Sequence, residues 1–318
     1  MIDKSATPDI ETAKVVASAL LKENVLDAQR ITTGRKNFVV AITTPNNEFV
    51  IRMTTKERKI TYEAAIYWQN KLLPLGVPLA KFIATDLEEQ YSPYPTLIMQ
   101  RAPGDDLCNV YKNLSVVTKQ RLAQQMVNIH RKTEDLASGY QYGFANSYEQ
   151  GDKYKSWYEF LLARLELCEQ SLSKTAVFPS DTISKILAIA NKLQADLRAV
   201  PAKPFMWDTS ERNVMIEQDR ITAIIDVDNM CFGDPLFVLG LTYVALESLG
   251  FDIIYPDNWA ALLNLDRNAQ LRLQFYRLFY TIWCMRSYAN VVSDNGTPDN
   301  MNADILNKMF ISALKDFM

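Results

Sequence analysis

The stretch Met206-Trp207-Asp208-Thr209-Ser210-Glu211-Arg212-Asn213 runs into Val214-Met215-Ile216-Glu217, a polar turn, and Ile221-Thr222-Ala223-Ile224-Ile225-Asp226-Val227-Asp228. An Asp is followed by an Asn across a short loop. Two apolar runs about a turn then predict a β-hairpin, with another Asp at the end of its second strand. Phosphoryl transfer to a hydroxyl needs these three groups. One carboxylate accepts or orients the proton of the attacking hydroxyl, while an amide oxygen and a second carboxylate hold Mg²⁺ on the nucleotide phosphates. Asp208 is therefore the candidate base, and Asn213 and Asp226 are the candidate metal ligands. Asp228 is expected to assist from outside the ligand set. Without their order and spacing, the same residues would fit an ordinary polar loop and hairpin.

With Gly233-Asp234-Pro235 a few residues on, this order resembles the aminoglycoside phosphotransferase family, which includes choline, ethanolamine and homoserine kinase relatives. The family pattern reads His-x-Asp-x-x-x-x-Asn, a hairpin, Ile-Asp-Trp/Phe-Asp/Glu and a later Gly-Asp-Pro. The chain departs from it at Met206, where the family carries His. The resemblance covers most of residues 28–250. It implies an α+β, two-lobed protein-kinase-like fold, with a small N-terminal antiparallel-sheet lobe and a larger, mostly helical C-terminal lobe. It also implies a small-molecule kinase with ATP (or GTP) as co-substrate, Mg²⁺ as cofactor and a small hydroxylated acceptor. In kinase-like proteins the motif His braces the catalytic loop by packing and a hydrogen bond. Met supplies the packing but has no donor. A competent, slower enzyme is expected; the alternative is a catalytically impaired kinase-fold protein that binds nucleotide or ligand.

Outward from the motif, hydrophobic periodicity divides the chain in two. A helix opening at Thr7-Pro8-Asp9 is followed by strand-like runs at 28–33, 37–43 and 48–53, a helix over about 58–75, and strands at 79–85 and 96–101. After Pro103-Gly104 the pattern is mostly helical, over about 117–133, 151–173, 179–198, 235–249, 268–290 and 302–317, interrupted by the hairpin at 213–226. The expected division is a nucleotide-binding lobe at 1–102 and a catalytic and substrate-binding lobe at 103–318, with nucleotide between them.

Within the first lobe, Thr33-Gly34-Arg35-Lys36-Asn37 matches the family's loop over the ATP phosphates, so Gly34, Arg35 and Asn37 are expected to bind nucleotide. A plain hairpin turn fits the same residues. Arg52 ends an otherwise apolar strand and needs an acidic partner or a phosphate. The resemblance implies contact with the α/β-phosphates and pairing with Glu63 on the next helix; an edge arginine reaching for solvent is the alternative. Met99, Gln100 and Ala102 match the strand-to-linker segment whose backbone meets adenine. Asp234 is expected to turn the chain and cap the next helix.

The 318 residues carry a net charge of −3, with 48% hydrophobic and 22% charged residues, which suits a globular chain with a sizeable core. The acidic balance argues against a nucleic-acid or anionic-membrane surface. Cys108, Cys168, Cys231 and Cys284 are scattered and read as buried apolar residues. The single histidine, His130, excludes a multi-histidine zinc site within the chain; it lies on an amphipathic helical stretch and reads as structural. No signal-peptide pattern or membrane-length apolar run is evident, so a cytoplasmic location is expected. Between Asp234 and Ile305 acidic residues outnumber basic ones, and Tyr243, Tyr276, Tyr280, Trp283 and Tyr288 recur at helical spacing. Both features would suit an amine-bearing acceptor, although solvated helix faces account for the charge equally well and aromatics at helical spacing are more often plain core.

Overall fold

The computed structural model describes residues 7–32, 37–139, 141–294, 296 and 302–317. Helix α1 (Ile10–Leu21) starts two residues later than a Thr7 cap suggests. Asp9 is its cap and accepts from the Thr12 amide at 2.7 Å. The side chain that reaches the exposed amides sets the helix start, and Thr7 lies too early in the chain to do so.

Strands β1 (Asp27–Ile31), β2 (Phe38–Thr43), β3 (Glu48–Met53), β4 (Phe82–Asp86) and β5 (Thr96–Gln100) form one antiparallel sheet in the order β1-β2-β3-β5-β4. Its inward residues Val40, Ile42, Phe49, Ile51, Met53 and Ile98 pack on Ala13, Val16 and Ala17 of α1. Helix α2 (Lys59–Leu72) connects β3 to β4. Its Tyr62 and Ala65 face Leu97 of the sheet. Its Trp68 and Leu72, with Val77 and Leu79 beyond, join the core of the helical region instead.

The chain leaves β5 through Arg101–Gly104 and adds a short strand, β6 (Asp105–Asp106), to the hairpin that carries the motif. Gly104 has φ +87°, and a β-carbon there would stand 2.0 Å from the Ile216 carbonyl oxygen, so the linker passes where only glycine fits. Beyond it come α3 (Leu107–Val110), α4 (Val116–Thr133), β7 (Gly143–Ala145), α5 (Trp157–Leu172), α6 (Thr182–Lys192), α7 (Gln194–Ala199) and β8 (Lys203–Phe205). The hairpin follows as β9 (Val214–Glu217) and β10 (Arg220–Ile224), then β11 (Met230–Gly233). Strands β7, β11 and β8 make a small sheet that the sequence pattern does not announce. Helices α8 (Leu236–Ser248), α9 (Ile254–Leu262), α10 (Arg267–Ser293) and α11 (Ala303–Leu314) complete the chain.

Helices α8 and α10 pack closely because Gly240 abuts Tyr276, whose Cβ would lie 2.6 Å from an added methyl. Asp234 ties the start of α8 to α10. It accepts from the Leu236 amide (3.1 Å), Arg272 Nε (2.7 Å) and the Tyr276 hydroxyl (2.8 Å). The turn it was expected to make is thus also a buried polar anchor. All four cysteines are unpaired. Among the described residues no helix is long and apolar enough to cross a membrane. The molecule is an α+β, two-lobed protein-kinase-like fold.

Candidate active site

Asp208, Asn213 and Asp226 come together at the junction between the loop after β8 and the hairpin. The Asn213 side-chain nitrogen donates to the Asp208 carbonyl oxygen at 3.1 Å, and the Ile225 amide donates to the Asn213 carbonyl at 2.9 Å. Asn213 therefore joins the loop to the end of β10. With its amide nitrogen committed, its side-chain oxygen is the group a cation would meet. Ser210 Oγ donates to Asp208 Oδ1 at 2.7 Å, so the candidate base sits in a loop held by its own neighbours.

Asp226 adopts φ +63°, a left-handed conformation that Asp tolerates better than most residues. The apolar strand ends there, and the carboxylate is displayed with 42% of its side chain exposed. Asn213 and Asp226 offer the oxygen donors Mg²⁺ prefers, with phosphate and water completing the shell. Among the described residues no cluster of three or more His, Cys, Asp or Glu resembles an all-protein metal cage. Such a cage is unnecessary where nucleotide phosphates supply ligands.

Arg52 lies directly against this pair of acids. Its Nη2 is 2.7 Å from Asp226 Oδ1, 3.0 Å from Asp228 Oδ1 and 3.1 Å from Asp228 Oδ2. The residue is 5% exposed, and its guanidinium lies 5.4 Å from the ring centre of Tyr62. Burial opposes the arginine charge, but the carboxylates of Asp228 and Asp226 outweigh it and raise the Arg52 pKa. Burial likewise pushes the Asp228 carboxyl upward, against Arg52 and with the Asp226 charge adding to the rise. The expected Arg52–Glu63 pair does not form. Glu63 is 3.8 Å from Lys59 on the same helix, because β3 delivers Arg52 to the hairpin acids rather than to the outer face of α2. Asp228, two residues beyond Asp226, is the partner that sequence spacing alone did not single out.

The other nucleotide candidates divide. Met99 packs with Ala80 and Ala223, and Val50, Phe82, Ala102, Met215 and Ile225 surround them. This apolar set spans the sheet, the linker and the hairpin. Gln100 is exposed; its amide donates to the Lys81 carbonyl at 2.9 Å. Asn37 lies just before β2, and its buried side-chain oxygen has no hydrogen-bond partner among the described residues. Gly34 and Arg35 lie outside the described residues. A cavity of about 580 Å³ opens elsewhere, lined by Ser138, Tyr148, Gly151, Asp152 and Phe232 among others, and none of these candidates lines it.

Met206 is 1% exposed in the main core. The structure adds a residue the motif does not contain: His130 of α4, whose Nε2 is 3.0 Å from Thr209 Oγ1, next to Asp208. Burial lowers its pKa to about 4. Its helical context marked it as structural, but nothing in the sequence pointed to Thr209.

The phosphotransferase enzyme family model matches residues 27–273, and the chain belongs to that family. No curated protein matches at the sequence level. Among solved structures, a thermostable mutant of aminoglycoside phosphotransferase APH(4)-Ia, in ternary complex with AMP-PNP and hygromycin B, superposes with TM-score 0.69 at 14% identity. That match covers 96% of this chain and 98% of that one. The choline kinase LicA from Streptococcus pneumoniae gives TM-score 0.63 at 14% identity, covering 96% and 98%. A putative aminoglycoside phosphotransferase from Ralstonia eutropha gives 0.62 at 15%, covering 96% of each chain.

Proposed function

We propose that this chain is an ATP- or GTP-dependent kinase that transfers the γ-phosphoryl group to a hydroxyl of a small acceptor. The observation that carries this reading is the Asn213 junction. One residue joins the Asp208 loop, through its side-chain amide, to the segment leading into Asp226, through its backbone carbonyl, so base and metal-ligand positions share a frame. Residues 1–102 serve as the nucleotide lobe and 103–318 as the catalytic and acceptor lobe.

The nucleotide base enters the apolar set around Met99, Ala223 and Ile225, with Ala102 at the linker and Gly34, Arg35 and Asn37 over the phosphates. Asn213 and Asp226 hold Mg²⁺, which when bound neutralises charge on the phosphates. Asp208 takes or orients the proton of the acceptor hydroxyl as its oxygen bonds to phosphorus and the β–γ bridging bond breaks. Arg52 steadies the acids that face the phosphates. The acceptor is a hydroxylated, amine-bearing molecule such as an aminoglycoside-like antibiotic or an amino alcohol, or else a sugar. The acidic balance of 234–305 favours the amines. A cytoplasmic location suits such an enzyme.

Thermal-shift titration with ATP and GTP, with and without Mg²⁺, followed by nucleotide consumption over an acceptor panel, tests the reading. Ligand binding to the folded state raises its stability by mass action, so a Mg²⁺-dependent shift with one nucleotide is expected. No shift at millimolar concentration of either nucleotide would overturn it. A shift without turnover on any acceptor would favour the impaired, nucleotide-binding alternative that Met206 suggests.

A further inference from the structure

We propose that His130 is a positioning residue for the catalytic loop, and that through Thr209 it supplies from α4 the hydrogen bond that Met206 cannot make. The inference deepens the kinase reading of Asp208 and rests on it. Met206 is buried in apolar surroundings, and a thioether there contributes packing without a donor. His130 and Thr209 are 9% and 1% exposed, so their 3.0 Å hydrogen bond is shielded from water. Buried polar groups that lose a partner are costly, which makes this bond a strong restraint on the residue next to Asp208.

Four features support the assignment. The imidazole is fixed in orientation by Trp259 of α9, with ring centres 5.1 Å apart and planes inclined by 35°. Its Nδ1 is buried without a hydrogen-bond partner among the described residues, so among them Thr209 receives the ring's polar contact. Burial also keeps the ring neutral at ordinary pH, which suits a brace and not a proton carrier. Finally, α4 holds the loop's flanks as well. Thr133 Oγ1 lies 3.3 Å from the Pro204 carbonyl of β8, and Gln125 accepts from the Ile221 amide at 2.9 Å and donates to the Asp219 carbonyl at 2.7 Å. One helix therefore grips the strand before the loop, the loop itself and the hairpin after it.

Thr209→Val removes the hydroxyl at nearly constant volume, and His130→Phe removes the nitrogen while keeping a ring for Trp259. His130→Gln retains a side-chain amide able to reach Thr209. Two readouts are taken: amide hydrogen exchange over residues 208–213, and kcat and KM for nucleotide. Thr209→Val and His130→Phe are each expected to speed exchange there, and to lower kcat, by on the order of fivefold, the worth of one hydrogen bond. Nucleotide KM stays unchanged, the double variant is no worse than either single, and His130→Gln recovers much of the loss. Adding Met206→His to Thr209→Val should restore kcat, since both donors serve the same loop. Loop exchange at the wild-type rate in both Thr209→Val and His130→Phe overturns the inference, as do fully additive effects. Absence of wild-type turnover on every acceptor would count against the kinase reading, while exchange still decides the brace.

Discussion

Replacing Arg52 with Met leaves the largely buried Asp228 carboxyl and the exposed Asp226 carboxylate facing each other without a cation. In the native arrangement one guanidinium nitrogen lies 2.7 Å from Asp226 and 3.0 Å from Asp228, at a residue 5% exposed. At an effective dielectric near 20, each such contact contributes about 4 kcal/mol of attraction, most of it offset by the desolvation of the ions. Removing the cation abolishes the attraction without restoring water to Asp228, while Asp226 already meets solvent, so the expected loss lies at the lower end of the range for broken buried pairs, about 3 kcal/mol. In a chain of this size that lowers the melting midpoint by on the order of 10 °C. Denaturant unfolding of wild type, Arg52→Met and Arg52→Met/Asp228→Asn measures the effect. The double variant should regain part of the loss, because one of the two uncompensated charges is gone. If Arg52→Met lies within about 1 kcal/mol of wild type, or the double variant is weaker than the single, the charge clamp contributes little and the reasoning fails.

Other outcomes follow from the same geometry. Asp208→Asn should nearly abolish turnover with nucleotide affinity largely intact, whereas Asp226→Ala should damage Mg²⁺-dependent nucleotide binding and turnover together; binding titrations alongside rate measurements separate the two. Met206→His in the wild-type background should alter turnover by less than about tenfold, since His130 already holds the loop, and a stable variant with sharply reduced turnover would contradict that account. His130 has a folded-state pKa of about 4, below the value near 6.5 of a solvated imidazole. The unfolded chain therefore binds this proton first as pH falls. Stability should decline between roughly pH 6.5 and 4, by up to on the order of 3 kcal/mol from this group. His130→Gln should remove that part of the pH dependence, and an unchanged unfolding profile would exclude it.

Much of the site is readable in the chain because its members are close in sequence. Asp208 and Asn213 share one loop, and Asp226 closes the two-stranded hairpin that begins just after them. Arg52 announced its need for a partner by ending an apolar strand, but the partner itself was not legible. It depends on the left-handed turn at Asp226, which presents both hairpin acids to β3. The His130–Thr209 bond was illegible for a similar reason: it joins residues 79 positions apart, and neither position is unusual locally. In the fold, the small β7-β11-β8 sheet escaped because its strands span only three or four residues. That is too short for alternation to register, and β8 contains Pro204. Helix α9 escaped because Pro256 reads as a breaker, although the first turn of a helix accepts it.

The N-terminal lobe is not attached to the rest of the molecule evenly. Trp68 of α2 donates to the Ala145 carbonyl of β7 at 2.8 Å, and the Ile224 amide donates to the Pro78 carbonyl at 2.7 Å. Leu72, Val77 and Leu79 are continuous with the helical core, whereas α1 packs with β2 and β3 in a separate cluster. Swinging the whole sheet away would break both hydrogen bonds and expose those three side chains, and β3 cannot move without them unless its ladder with β5 also opens. Arg52, on β3, lies against Asp226 and Asp228 within this framework. On the proposed reading, any motion of that strand that admits nucleotide would also draw the guanidinium away from Asp226, coupling entry to release of a carboxylate that would hold Mg²⁺.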